Sequence, residues 1–265
     1  MNIVIILYNY DYMRLIFLKK YIDYQTALSW FNDIRCVDNF VKNDKDCNDI
    51  ERIFVLEHNN VYTAGKSVGN VLKEDIKKED YVFNNSRQTI HGVPVFYTER
   101  GGLWTWHGHG QVVVYFIYNL RARDIDLSKF MSIIEDTVIN SINLEIKRIT
   151  TKFPKYINLE FYADSKKRGF WVRNINKSNC NKVSKFGFIG LKVTNGFVYH
   201  GISINYTNDL SFFDYINPCG LGDVEITSIE KLTKNNIVSS LDINFFKRQV
   251  GNDLFENLNK ENINK

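Results

Sequence analysis

Apolar positions recur with a helical period over residues 23–42, where Ala27, Trp30, Phe31, Ile34, Val37 and Val41 share one face of a 3.6-residue repeat. That spacing predicts an amphipathic helix laid on a core. A polar loop, NDKDCND, follows, and RIFVLEH (52–58) then reads as a short strand. TAGKSVGN (63–70) is a glycine-punctuated loop, and DIKKEDYVFNN is a charged surface stretch. GVPVFYTERGG (92–102) predicts a strand running into a glycine turn. QVVVYFIYNL (111–120) is almost continuously apolar, the pattern of a strand buried on both faces. A second helical period covers 127–146, opened by Asp126 or Ser128 as its cap. KRGFWVRNI, KVSKFGFIGLKV and GFVYHGISINY are three more strand-like pieces, and Leu241, Phe245, Phe246, Val250 and Leu254 mark a last helix.

Helix, strands, helix, strands, helix, without regular βα alternation, predicts an α+β (mixed α/β) architecture and argues against a doubly wound fold. The 265 residues contain no internal repeat and no linker rich in Pro, Gly or Ser, so one domain is expected. Met13 offers a second translation start, so residues 1–12 are set apart as an N-terminal extension ahead of a domain over 13–265.

Composition narrows the function classes. With 44% apolar and 24% charged residues the chain is globular, and no stretch approaches the ~20 apolar residues of a membrane span. The N-terminal apolar run lacks a basic region and a small-residue cleavage site, so neither secretion nor a membrane partner is expected. A net charge of +4 is too weak to argue for nucleic acid. The four cysteines, Cys36, Cys47, Cys180 and Cys219, form no CxxC pair. A reducing, cytoplasmic setting is the better reading, with no metal centre.

Four stretches stand out chemically. RGGLWTWHGHGQ (100–111) concentrates four glycines, two histidines, an arginine and a threonine between apolar strands. Such polar density is costly unless used, and it reads as a backbone cradle in which Thr105 and His107 add side-chain contacts. It has neither a Walker ending nor GxGxxG spacing. In NKVSKFG (181–187), Lys182 and Lys185 are an odd number of positions apart and cannot share a strand face; a lysine heading a strand is most often solvated. In YHGISIN (199–205) a lone histidine is more often a satisfied core residue, although Gly201 beside it suggests a close approach. INPCG (216–220) sets Cys219 between Pro218, one of only three prolines, and Gly220. That is a turn able to present a thiol.

In this order the stretches resemble the octanoyltransferases of lipoate synthesis, within the biotin/lipoate protein ligase superfamily. The family shows LEHPPVYTxG, RGGxxTYHGPGQ, KIAAIG, HGxALN, and PCG followed by a Thr-Ser pair. This chain has LEHNNVYTAG (56–65), RGGLWTWHGHGQ (100–111), KVSKFG (182–187), HGISIN (200–205) and PCGLGDVEITS (218–228). One motif alone is weak; five in order are highly specific. The resemblance implies a single catalytic domain with mixed sheets and flanking helices. It implies that Cys219 carries the acyl group as a thioester and that Lys182, which heads the K-[IV]-x-x-x-G pattern, activates it. Arg100, Gly101, Gly102, Leu103, Trp104, Thr105, Trp106 and His107 match its acyl-substrate contacts, as do Lys185, Phe186 and Gly187, and Gly201, Ile202 and Ser203. It implies no cofactor, octanoyl-acyl carrier protein as donor, and as acceptors the lipoyl domains of 2-oxoacid dehydrogenase E2 subunits and the glycine cleavage H protein.

The residue types suit that chemistry. A nearby ammonium favours thiolate, the attacking form, and a carrier thioester exchanges with a cysteine thioester at little cost. A lipoyl-domain lysine then forms an amide downhill, without ATP. Oxyanion donors are sought among backbone N–H groups near Gly201 or Cys219, with His107. Each methylene contributes about 0.8 kcal/mol of burial, so chain-length selection should be graded. The run Lys166, Lys167, Arg168, Arg173 and Lys177 is either a solubilising loop or a dock for acidic domains. Departures from the pattern surround the acyl site: His109 for proline, Trp106 for tyrosine, Lys185-Phe186 for small or aliphatic residues, and Ser203 for alanine. Rival readings are an ATP-dependent lipoate or biotin ligase of the same fold, a cysteine hydrolase with His200 or His107 as base, and a non-catalytic lipoyl-domain binder.

Overall fold

The computed structural model describes residues 5–10, 13–35, 51–70, 81–84, 87–150, 158–175, 183–218, 224–233 and 241–261. Its elements are strands β1 (Ile5–Tyr10) and β2 (Met13–Ile22), helix α1 (Tyr24–Arg35), and strands β3 (Glu51–His58), β4 (Val61–Ala64), β5 (Tyr81–Asn84), β6 (Arg87–Ile90), β7 (Val93–Tyr97), β8 (Trp104–His107) and β9 (Gln111–Asn119). Helix α2 (Leu127–Thr150) follows, then β10 (Leu159–Ala163), β11 (Phe170–Asn174), β12 (Val183–Thr194), β13 (Phe197–Asn205), β14 (Glu225–Ile226), α3 (Ile229–Thr233) and α4 (Ile243–Lys260).

The described strands form two sheets. The larger runs β1-β2-β3-β9-β13-β12-β11-β10, with β14 added alongside β12; the smaller runs β5-β6-β7-β4-β8. Both are mixed: β2 is parallel to β3, β14 to β12 and β4 to β7. The chain adopts the expected α+β class with mixed sheets and flanking helices. Residues 5–10, ahead of Met13, pair in register along β2 from Ile5↔Leu18 to Tyr10↔Met13.

β9 is the hinge of the core. Val112, Val114, Phe116 and Tyr118 face the cluster built with α2 and α4, while Val113, Tyr115 and Ile117 face the one that contains Ile16, Leu56, Tyr24 and Ala27. A strand with both alternating sets buried has no polar face left to write in its sequence, hence the continuous apolar run. A third cluster, with Tyr62, Ala64, Trp104, Trp106 and Phe188, lies against the small sheet.

Several local readings change. α1 is described over Tyr24–Arg35, and residues 36–42 of its predicted span lie outside the described residues. Thr63 and Ala64 end a strand instead of beginning a loop, and Lys66–Asn70 form a 3-10 turn. Within the stretch read as charged surface, Tyr81–Asn84 is a strand. α2 runs on to Thr150, and its cap is Asp126, whose Oδ1 accepts from the Lys129 N–H at 2.7 Å.

Candidate active site

A cavity of about 540 Å3 lies between β8 and the β12–β13 pair, closed at its sides by the loops around Gly101 and Lys167. The first of these loops is zipped to the chain leaving β4. Gly65, Lys66 and Ser67 donate their N–H groups to the carbonyls of Leu103, Arg100 and Gly102. Arg100 is buried and acts as its internal strut. Its guanidinium donates to the Thr63 Oγ1 and carbonyl and to the carbonyls of Gly101 and Leu103, at 2.7–3.2 Å. The arginine therefore shapes the cradle more than it reaches into it.

Of the residues expected to contact substrate, Arg100, Gly101, Gly102, Leu103, Trp104, Thr105, His107, Lys185, Gly201, Ile202 and Ser203 line the cavity. Trp106, Phe186 and Gly187 do not. Strand alternation puts Trp106 opposite Thr105 and His107, stacked on Phe212 at 4.7 Å. Phe186 packs edge-on against Phe161 at 5.4 Å, in the helix-side core. Gly187 is a pairing point of β12, with Phe170 on one side and Ile204 on the other.

Cys219 and Lys182 lie outside the described residues. Their described neighbours pair with residues of the cavity wall. Pro218 bridges Trp104 on the cavity wall. β14, after the 219–223 segment, pairs with the start of β12 in the register Ser184↔Glu225 and Lys185↔Ile226. Ser184 Oγ adds a 2.8 Å hydrogen bond to Glu225, and the Thr227 N–H donates to the Lys185 carbonyl at 2.9 Å.

Lys185 is the departure with the largest structural consequence. Its side chain is 1% exposed, where solvation would be expected of a lysine heading a strand. Burying an ammonium is costly unless it is compensated. Here Nζ donates to the Arg168 carbonyl at 2.9 Å and sits over the rings of Trp171 and Phe188, 4.9 and 5.0 Å from their centroids.

Behind His107, which lines the cavity, buried polar groups form a single hydrogen-bonded chain. Gln111 Nε2 donates to the Trp106 carbonyl and to Asn205 Oδ1, and Asn205 Nδ2 donates to the Thr227 carbonyl. Both amides are oriented by backbone carbonyls, which only accept, so Gln111 Oε1 must accept from His107 Nδ1 at 2.7 Å. His107 is thus held as the neutral Nδ1–H tautomer, and burial pushes its pKa well below the usual histidine value. Its Nε2 carries a lone pair, so His107 offers the cavity an acceptor, which removes it from the candidate oxyanion donors. His58 is fixed in the same way: Nδ1 donates to the Ile22 carbonyl at 2.7 Å, and Nε2 accepts from the Tyr115 hydroxyl at 2.8 Å. Burial lowers its pKa to about 4. His200 holds φ at +62°, a left-handed conformation that strains a non-glycine residue, at the cavity wall.

Gln111 and Asn205 close two of the sequence motifs, yet sequence reasoning gave them no role; the signal available was their polarity at the ends of apolar strands. Tyr24 and Tyr115, which do line the cavity, carried no such signal.

Residues 33–254 match the lipoyl protein ligase A/B catalytic domain. The chain is 35% identical to the octanoyltransferase of Rickettsia prowazekii and 33% identical to that of Rickettsia canadensis, each over 83% of this chain and 89% of the relative. The chain belongs to the octanoyltransferase family. Its members are acyltransferases of the lipoate and biotin ligase superfamily. Solved structures agree on the fold: lipoate-protein ligase A bound with ATP has a TM-score of 0.54 at 13% identity, covering 92% of this chain and 84% of that one. Protein Ta0514 of T. acidophilum with bound lipoic acid has a TM-score of 0.52 at 13% identity, covering 93% and 84%. Among the described residues of this family member, no helix is long and apolar enough to cross a membrane.

Proposed function

We propose that this octanoyltransferase moves an octanoyl group from acyl carrier protein to a lysine of lipoyl domains through a thioester on Cys219, in the cytoplasm. In the first half-reaction the Cys219 thiolate attacks the donor carbonyl, the carrier sulfur leaves, and the proton lost by Cys219 returns to the carrier thiol. In the second, the acceptor lysine amine attacks the Cys219 thioester. An amide forms, the C–S bond breaks, and the amine proton passes through Lys182 to restore the starting pair. The acceptors are E2 lipoyl domains and the glycine cleavage H protein.

The observation that carries this reading is that the chain on both sides of Cys219 is tied to residues of the cavity wall, Trp104 and Lys185. Pro218, immediately before Cys219, bridges Trp104, and the strand after the same segment pairs with β12, which begins directly after Lys182. The cavity itself suits an acyl chain, with Leu103, Trp104, Phe188, Ile189, Leu191 and Ile202 among its walls. An acyl chain of eight carbons gains about 0.8 kcal/mol per methylene buried there.

Intact-mass analysis after incubation with octanoyl-carrier protein tests the scheme. One octanoyl increment should appear, map to Cys219, be absent in Cys219→Ala, and be discharged by apo-lipoyl domain without ATP. An adduct on Cys180, or an absolute need for ATP, overturns it; the latter favours the ligase reading.

A further inference from the structure

The charge of the cavity is one-sided. Among the described residues that line it are Arg100, Lys166, Lys167, Arg168 and Lys185, and none of those described lining residues is an aspartate or glutamate. Arg100 is committed to the cradle, and Lys185 is buried under the Arg168 carbonyl. Lys166, Lys167 and Arg168 are different: they are exposed, at the rim.

The loop that carries them is built, not slack. Asp164 Oδ1 accepts the N–H groups of both Lys166 and Lys167 at 2.8 Å, and the Asp164 N–H donates to the Gly169 carbonyl. Lys185 Nζ holds the far end through the Arg168 carbonyl. At Gly169, φ is +143° and an added Cβ would fall 2.4 Å from Lys185 Cε, so loop and lysine are packed as one piece. Acidic groups near it among the described residues include Asp164, whose Oδ1 is engaged by the loop's own N–H groups, and Glu135, which is close enough to feel Arg168. Arg173, from the same basic run, is paired with Glu160 and does not line the cavity, and Lys177 lies outside the described residues.

We propose that the Lys166–Arg168 loop binds the phosphodiester of the pantetheine arm that delivers the acyl chain. This rests on the proposed octanoyl transfer and names the group read at its mouth. Both substrates must approach this cavity, but they bring opposite charge. The donor's thioester follows its acyl chain inward on an arm that carries a phosphate, whereas the acceptor brings a lysine ammonium. Three cations at the rim attract the first and repel the second.

The test is binding of two unreactive twins, the octanoyl amide analogue of 4′-phosphopantetheine as its methyl phosphodiester and the same compound without its phosphate, measured by titration calorimetry. The wild type should bind the phosphorylated twin about tenfold more tightly (~1.4 kcal/mol), and the preference should shrink as salt is raised. In K166A/K167A/R168A it should fall to twofold or less while the dephosphorylated twin still binds, which also shows that the variant is folded. Equal affinity of the wild type for the two twins overturns the proposal and leaves the acyl cavity standing. So does a preference that survives the triple substitution. Failure of the wild type to bind either twin overturns the acyl-transfer reading as well.

Discussion

Gln111 joins two parts of the site that are far apart in the chain. One amide group accepts from His107, donates to the Trp106 carbonyl, and donates to Asn205, 94 positions away. Gln111→Ala removes all three bonds inside a buried polar chain, where each orphaned group costs about 1–3 kcal/mol. The denaturation midpoint should fall by an amount equivalent to roughly 2–4 kcal/mol with an unchanged slope, and a loss below about 1 kcal/mol would mean that water replaces the amide. His58 makes a pH prediction. Burial lowers its pKa to about 4 from an ordinary 6.5, so between those values the unfolded chain binds a proton that the folded chain refuses. Stability attributable to His58 is therefore full above pH 6.5 and lost as pH falls towards 4, by about 3 kcal/mol in total. His107 is shifted in the same direction by burial and acts in the same sense. Urea titrations at pH 7, 5.5 and 4.5 should show this decline, and NMR should show the His58 ring neutral at pH 5.

At the scale of elements, β13 is the tightest seam. A Cβ on Gly201 would fall 1.8 Å from the Val114 carbonyl oxygen of β9, well inside any tolerable contact. Gly201→Ala must therefore push β13 away from β9 or break the ladder at Gly201↔Tyr115. A loss of about 3 kcal/mol or more is expected, seen as a lowered Tm or as failure to accumulate folded protein. Near-wild-type stability would refute the close approach. Sequence reading anticipated this glycine, because a glycine inside an otherwise apolar strand has few other uses. It anticipated β9 too, since burial on both faces leaves an unbroken apolar run. The small sheet was mostly illegible: β4, β5, β6 and β8 are four residues each, too short to show a period. The burial of Lys185 was hidden for a different reason. Its compensation comes from the Arg168 carbonyl, Trp171 and Phe188, which only the pairing of β11 with β12 gathers around it. The cavity residues were legible as motifs, but which strand face each motif residue takes needed the sheet register, and so Trp106 and Phe186 fell outside the wall.

Over the whole molecule, one buried ion pair ties the C-terminal helix to the site. Lys247 of α4 donates to Glu57 of β3 at 3.0 Å and to the Leu18 carbonyl at 3.4 Å, with both charged side chains below one-tenth exposed. The other Glu57 oxygen accepts the Gly110 N–H at 2.9 Å, at a position whose φ of +82° suits glycine. Gly110 directly precedes Gln111, so helix, central strand and polar chain share one carboxylate. A buried pair of this kind is worth little against an uncharged replacement, whereas removing one partner strands the other charge. Glu57→Gln should accordingly cost roughly 3 kcal/mol or more, because Lys247 stays charged and buried. Lys247→Met should cost less than that, since the Gly110 N–H still stabilises the carboxylate. The double variant should be more stable than Glu57→Gln alone, with a coupling energy of about 1–3 kcal/mol in the cycle. Acyl loading measured on the same three proteins separates fold from site. It should fall in Glu57→Gln and recover in the double variant, where a neutral amide still accepts from Gly110. Additive costs, with no recovery in the double variant, would mean that α4 and the cavity are energetically independent.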